Sequence, residues 1–307
     1  MKIVLANPRG FCAGVDRAIN IVEKAIEKYG APVFVKNEIV HNKAVVNRLS
    51  NLGARFVKEV SDVPDGAVII FSAHGAAISA YKEAENKGLT LFDASCPLVE
   101  KVHKNIKKYS REGAKIILIG HKGHPEVEGH LGQIDEKISV ITKKEDVENL
   151  AFSKDEKLAY ITQTTLSRTE SESVIAELKK RFSNISGPPK GDLCYATTNR
   201  QTAIAQLVGK IDLLLVVGSA NSSNSNRLKE LGESVKIRSY LIDEPQSIET
   251  SWFENCRSIG ITSGASAPEY LVQELVKNIC EKFPIDEVEE IYASEEKVKF
   301  LMPSNLT

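Results

Sequence analysis

Short apolar strands alternating with amphipathic helices predict an α/β fold built on parallel sheets. Apolar runs of four to seven residues recur along most of the chain, in "KIVLA", "AVIIFSA", "KIILIG", "LAYITQ", "DLLLVVG" and "SIGITSG". Between them, apolar residues recur at three- and four-residue spacing. Strands covered on both faces read as continuous apolar runs, and parallel strands need helical crossovers to join them.

The helices are legible in order. From Val15, the residues Ala18, Ile19, Val22, Ile26 and Tyr29 form one apolar face, and Gly30 suits the position just past a helix end. A second helix follows "SCP", with Pro97 in its first turn and Val99, Val102, Ile106 and Tyr109 on one side. A third, "NRQTAIAQLVGK", follows Cys194 after a short polar stretch, and another spans Tyr270 to Phe283. Cys12, Cys96 and Cys194 each lie shortly before a helix, one in each third of the chain. This spacing predicts three quasi-equivalent α/β units, 1–96, 97–193 and 194–283, with "SGPPKGD" as a linker before Cys194. The tail 284–307 alternates acidic and apolar residues and reads as a strand returning to the first unit or as a surface arm.

Composition excludes several classes. At 307 residues, with 42% hydrophobic and 26% charged, the chain is globular and long enough for two or three cores. Forty Lys and Arg against 41 Asp and Glu, with no long basic run, argue against a nucleic-acid partner. The apolar run Ile3 to Ala6 is too short for a signal peptide, and no window approaches the ~20 apolar residues of a membrane helix. The expectation is a soluble, cytoplasmic protein with no membrane partner. Five cysteines without a CxxC pair make a disulfide framework a poor reading and leave packing, metal binding or catalysis.

The thiols sort by context. Cys280 shares a helical register with Val272, Val276 and Phe283 and reads as a core thiol, and Cys256, just before a strand, reads as structural. Cys12, Cys96 and Cys194 sit near helix starts, where a thiolate is stabilised. Three such thiolates can hold zinc with one open position, or a [4Fe-4S] cluster with one iron lacking a protein ligand.

In parallel α/β sheets, functional groups gather beyond the carboxyl ends of strands. There the sequence places His74, then His121, His124, Glu126 and Glu128, then Thr162, Thr164 and Thr165, and finally Ser266. His41 stands beside turn residues; His103 and His130 read as structural. "SANSSNSNRL" sets more Ser and Asn at a helix start than one cap needs, including Ser222, Ser223 and Asn224. A helix start of this kind accepts anions, phosphate above all. No GxxxxGK[ST] is present, so a P-loop is not indicated.

Taken together, "RGFCAGVDRA", "NEIVHN", "SAHG", "DASCPLV", "GHKGHPEVEG", "TQTTLS", "CYATTNRQ", "NSSNSNRL" and "GASAPE" closely resemble, in order, the 4-hydroxy-3-methylbut-2-enyl diphosphate reductases of the LytB family. These enzymes close the methylerythritol phosphate route to isoprenoids. The resemblance implies a trefoil of three α/β units with parallel sheets around a central iron-sulfur cavity. It implies Cys12, Cys96 and Cys194 as ligands of a [4Fe-4S] cluster. His41, His74, Ser222, Asn224 and Ser266 then bind the substrate's diphosphate, with His124 and Ser223 lining the pocket. Glu126 becomes the proton-delivering carboxylate, Thr164 holds the substrate hydroxyl, and His124 joins them as a catalytic residue. A ferredoxin or flavodoxin is the implied electron donor. Two other readings stay open on the residues alone. One is a three-cysteine cluster enzyme of the quinolinate synthase kind, against which "GHPEVEG" and "NSSNSNRL" argue. The other is a non-enzymatic zinc- or anion-binding protein that closes a structural site with the same thiols.

Overall fold

The computed structural model describes residues 1–306. It falls into two compact units, one of Met1–Asp16, His41–Asn47 and Tyr195–Lys299, the other of Arg17–Val40, Arg48–Cys194 and Phe300–Thr307. In chain order, β1 (Lys2–Asn7) leads to α1 (Ala13–Tyr29). There follow β2 (Val33–Lys36), α2 (Lys43–Leu52), β3 (Ala54–Val57), β4 (Val68–Phe71), α3 (Ile78–Asn86) and β5 (Thr90–Asp93). Next come α4 (Pro97–Arg111), β6 (Lys115–Ile119), α5 (Pro125–Leu131), β7 (Ser139–Ile141), β8 (Leu158–Thr162), α6 (Arg168–Arg181) and β9 (Ile185–Ser186). The chain ends with α7 (Tyr195–Leu207), β10 (Leu213–Val217), α8 (Ser223–Ser234), β11 (Arg238–Ile242), β12 (Ser258–Ser263), α9 (Glu269–Lys282) and β13 (Glu287–Tyr292).

Three sheets result, ordered β11-β10-β12-β1-β13, β3-β2-β4-β5 and β7-β6-β8-β9. Every strand pair in them is parallel, as the continuous apolar runs predict. In the first unit, Ile3, Leu5, Leu213, Leu215 and Ile261 face Leu271, Val272, Leu275 and Ile279 of α9. The alternate residues Val4, Ala6, Leu214 and Val216 face Ala203, Ile204 and Leu207 of α7 and Leu228 of α8. Covering both faces this way contributes roughly 1.5–3 kcal/mol per large side chain. The second unit repeats the device. Ile117, Ile119 and Leu158 meet Val174 and Leu178 of α6, while Ile116, Leu118 and Ile161 meet Val102, Ile106 and Val127.

The division of the chain differs from the expected one at its first element. β1 lies between β12 and β13, with Lys2 opposite Ser258 on one side and Glu287 on the other. It therefore belongs with the C-terminal strands and not with β2–β5, because its apolar faces complete the two layers under α7 and α9. The tail does return as a strand, and β13 forms the edge of that sheet. Its acidic residues suit an edge: Lys2 Nζ stands 3.2 Å from Glu287 and 2.7 Å from Glu289. The last residues reach α1, where Arg17 Nε donates to Leu301 O at 2.8 Å and Lys28 Nζ to Asn305 O at 2.7 Å.

Two local expectations are corrected. Cys280 is exposed, because the buried face of α9 runs through Leu271, Val272, Leu275 and Ile279, and Cys280 follows Ile279 about 100° further round the helix. Helix α7 begins at Tyr195, directly after Cys194, with no polar stretch between them. The stretch expected as a linker ends at Asp192, which is buried and accepts from Thr162 N at 3.3 Å and from Asn105 Nδ2 at 3.2 Å. Among the described residues, no helix is long and apolar enough to cross a membrane.

His103 of α4 is buried, as the structural reading expects. Burial, then the charges of His130 and Lys107, push its imidazole down to about 3. Folding therefore favours the neutral ring. Its contribution is complete above the unfolded value near 6.5 and is lost as pH falls from there toward 3, by about 1.4 kcal/mol per pH unit. Urea denaturation of His103→Leu against the parent from pH 7 to 4 should show the variant losing less stability on acidification; equal losses would contradict this.

Candidate functional site

In the second unit, four strand ends turn into loops that hold one another through backbone bonds. After β8, Thr164 donates its N–H to Glu126 Oε1 at 2.6 Å and its hydroxyl to Glu126 Oε2 at 2.9 Å. The Thr164 carbonyl in turn accepts from Cys194 N at 3.1 Å. After β4, the Ala73 carbonyl accepts from Cys96 N at 3.0 Å, which fixes the thiol at the N-cap of α4 beside the His74 loop. Pro97 at the first helical position needs no hydrogen-bond partner for a missing N–H.

His124 caps α5, its Nδ1 accepting from Glu126 N at 3.1 Å. An accepting Nδ1 puts the proton of a neutral ring on Nε2. The His74 and His124 rings meet edge to face with centroids 5.8 Å apart, and His74 Nδ1 lies 3.2 Å from Ser72 Oγ. Glu126 is 2% exposed. Burial disfavours its charge, but His130, His124 and the Thr164 N–H favour it more, so the carboxyl titrates below its ordinary value.

In the first unit, the loop bearing Cys12 is held at successive backbone groups. Gly10 N donates to Ser263 Oγ at 2.7 Å, Gly10 O accepts from Arg200 Nη2 at 2.8 Å, and Cys12 N donates to Ala265 O at 3.2 Å. Gly10 has φ 74°, a conformation that costs other residues about 1–2 kcal/mol. Gly14, by contrast, is already the second residue of α1. The Arg200 side chain is fully buried, bonded to Gly10 O, to Ala196 O and to Glu296.

The Ser and Asn cluster forms the start of α8. Ser222 is its N-cap, accepting from Ser225 N at 3.3 Å and from Ser225 Oγ at 3.0 Å. Ser266 donates to His41 O at 2.9 Å and stands 3.4 Å from Ser222 Oγ; Asn221 Nδ2 lies 3.4 Å from His41 Nδ1. Asn224 is 5% exposed, yet neither its Nδ2 nor its Oδ1 has a hydrogen-bond partner. A buried amide in that state costs about 1–3 kcal/mol, a cost that a bound polar ligand removes. With the helix's positive end alongside, the ligand that fits is an anion with several oxygens.

Each expected site residue thus lies on a loop or helix start. The first unit holds Cys12, His41, Ser222, Ser223, Asn224 and Ser266, and the second holds His74, Cys96, His124, Glu126, Thr164 and Cys194. The three thiols are half-buried, unlike the buried Cys256 and the exposed Cys280. Among the described residues, no three His, Cys, Asp or Glu side chains are placed to share a single metal ion. Sequence reasoning missed Arg200 and Tyr195, whose hydroxyl accepts from Ala13 N at 3.3 Å. Arg200 does have a sequence signal, since with Ala196, Ala203, Ile204 and Leu207 it occupies the apolar register of α7.

The family of the LytB protein matches residues 3–280. A protein of Haemophilus influenzae (strain 86-028NP) named 4-hydroxy-3-methylbut-2-enyl diphosphate reductase is 53% identical over 100% of this chain and 98% of its own length. A protein of the same name from Saccharophagus degradans is 51% identical over 100% of this chain and 99% of its own. The solved E-1-hydroxy-2-methyl-but-2-enyl-4-diphosphate reductase of Plasmodium falciparum superposes with a TM-score of 0.94 at 37% identity, covering 100% of this chain and 96% of that one. Full-length likeness in both sequence and backbone leaves one conclusion: the chain belongs to the LytB family.

Proposed function

We infer that the chain reduces (E)-4-hydroxy-3-methylbut-2-enyl diphosphate, removing its allylic hydroxyl as water and releasing isopentenyl diphosphate and dimethylallyl diphosphate. The observation that carries this reading is the buried, unpartnered Asn224 amide at the start of α8. It matches the diphosphate half of such a substrate. Ser222, Ser223 and Ser266 supply hydroxyl donors there, with His41 beside them; His74 and His124 are the further substrate-binding residues of this reading. Hydroxyl, amide and imidazole donors bind the anion without a fixed lysine charge.

The thiols Cys12, Cys96 and Cys194 fit an iron-sulfur cofactor, for two reasons seen in the structure. All three are half-buried, and each stands at or just before a helix start that favours the thiolate. When bound, a [4Fe-4S] cluster with one iron lacking a protein ligand supplies electrons and a Lewis acid for the substrate oxygen. Glu126 provides the proton that turns the leaving hydroxyl into water, and Thr164 holds carboxyl and hydroxyl in register. A ferredoxin or flavodoxin supplies the electrons, and the reaction belongs to the cytoplasm.

The direct experiment incubates the protein, loaded with iron and sulfide under anaerobic conditions, with the hydroxylated allylic diphosphate and a strong reductant. The two isomeric diphosphates should form; intact substrate at completion would refute the reading. In the same assay Glu126→Gln should lower turnover by about 10²–10⁴-fold while retaining ligand binding, and near-parent turnover would remove Glu126 from proton delivery. Inorganic diphosphate at a hundredfold its Kd should stabilise the parent by about 2.7 kcal/mol, and Asn224→Ala should lose most of that gain. Equal thermal shifts in the two proteins would contradict the role of Asn224. Iron analysis after anaerobic loading should find Cys194→Ser depleted and Cys280→Ser unchanged, and equal depletion would overturn the sorting of the thiols.

A further inference from the structure

Glu126 raises a chemical problem that His130 answers. Both carboxylate oxygens accept hydrogen bonds from Thr164, an arrangement that suits the ionised form and leaves no proton on the group meant to donate one. One turn along α5, the His130 ring is fully buried, with Nε2 3.3 Å from Glu126 Oε1. That is ion-pair distance, yet neither ring nitrogen makes an aligned hydrogen bond. Such a ring gains nothing from solvent and has one strong neighbour.

We propose that the proton used at this site is stored by the Glu126–His130 pair, with His130 as a positioning residue that carries it while Thr164 engages the carboxylate. The proposal rests on Glu126 being the proton donor. During the reaction one proton leaves His130 Nε2, crosses Glu126 and ends on the substrate oxygen, which departs as water, while the second proton, which forms the new C–H bond of the product, comes from the substrate's own diphosphate. The two electrons come from the low-potential protein donor that the reaction already requires. His130 ends neutral, and the pair takes up one proton through Glu126 before the next turnover.

The surrounding groups favour this division. His124 and the Thr164 N–H also face Glu126, and both favour its charge. From α4, His103 meets His130 edge to face at 5.1 Å between centroids. His103, held neutral near pH 7 by burial, with His130 and Lys107 adding to the effect, does not compete for the proton. Asp192, buried and bonded to Thr162 N and Asn105, adds a second carboxyl whose field includes His130.

The test compares parent, His130→Gln, His103→Leu and Glu126→Gln, each loaded anaerobically and checked for folding by thermal melting. In His130→Gln the alkaline limb of kcat/KM should move to lower pH, with about a tenfold loss of turnover beyond it; His103→Leu should keep the parent profile. Infrared spectra of the substrate-free proteins near pH 6 provide a readout independent of turnover. A protonated carboxyl band should appear in His130→Gln, be absent from the parent, and vanish in the His130→Gln/Glu126→Gln double variant. An alkaline limb that stays in place or moves to higher pH, or the lack of that band, overturns the proposal while leaving Glu126 as donor. Near-parent turnover in Glu126→Gln instead removes the donor assignment on which the proposal rests.

Discussion

The second unit depends on one arrangement: Thr164 spends its N–H and its hydroxyl on Glu126 and its carbonyl on the N–H of Cys194. A single residue at the end of β8 thereby sets the position of a buried acid and the backbone of a thiol. Neither partner can shift without disturbing the other. The cost of burying the Glu126 charge is offset by these two donors together with His130 and His124. The Ala73 carbonyl does the same for Cys96 beside His74. Chemistry-bearing side chains are thus placed by main-chain bonds, which tolerate side-chain change only at neighbouring positions.

The parallel sheets explain why such loops exist at all. Strands covered on both faces carry mostly apolar residues along their length, so polar residues collect where strands end and helices begin. At the start of α8 the approach is so close that a Cβ on Gly264 or Gly218 would come within 2.0 or 2.2 Å of the Ser225 hydroxyl. Those glycines let two strand ends press against the helix start. The Ser222 cap and the unpartnered Asn224 amide lie at that close approach.

Much of this was legible in the residues. Continuous apolar runs announced the strands, and the Ser and Asn cluster announced a helix start richer than one cap requires. The motif order pointed to the family, which the full-length relatives then established. Other features escaped for physical reasons. Cys280 matched an apolar spacing, but α9 presents Ile279 to the sheet, and a shift of one residue exposes its neighbour. The membership of β1 was hidden because strand pairing is non-local: its partners Ser258 and Glu287 lie at the other end of the chain. The residues also could not show that Glu126, one turn before His130, is engaged by a threonine distant in sequence.

The central claim is that the allylic diphosphate meets the iron-sulfur cofactor held by this chain. It is tested most directly by recording the visible and electron paramagnetic resonance spectra of the anaerobically loaded protein as that diphosphate is added. The account predicts a saturable change with the hydroxylated substrate and none of that kind with inorganic diphosphate, which lacks the hydroxyl. Spectra unchanged by saturating substrate would contradict it.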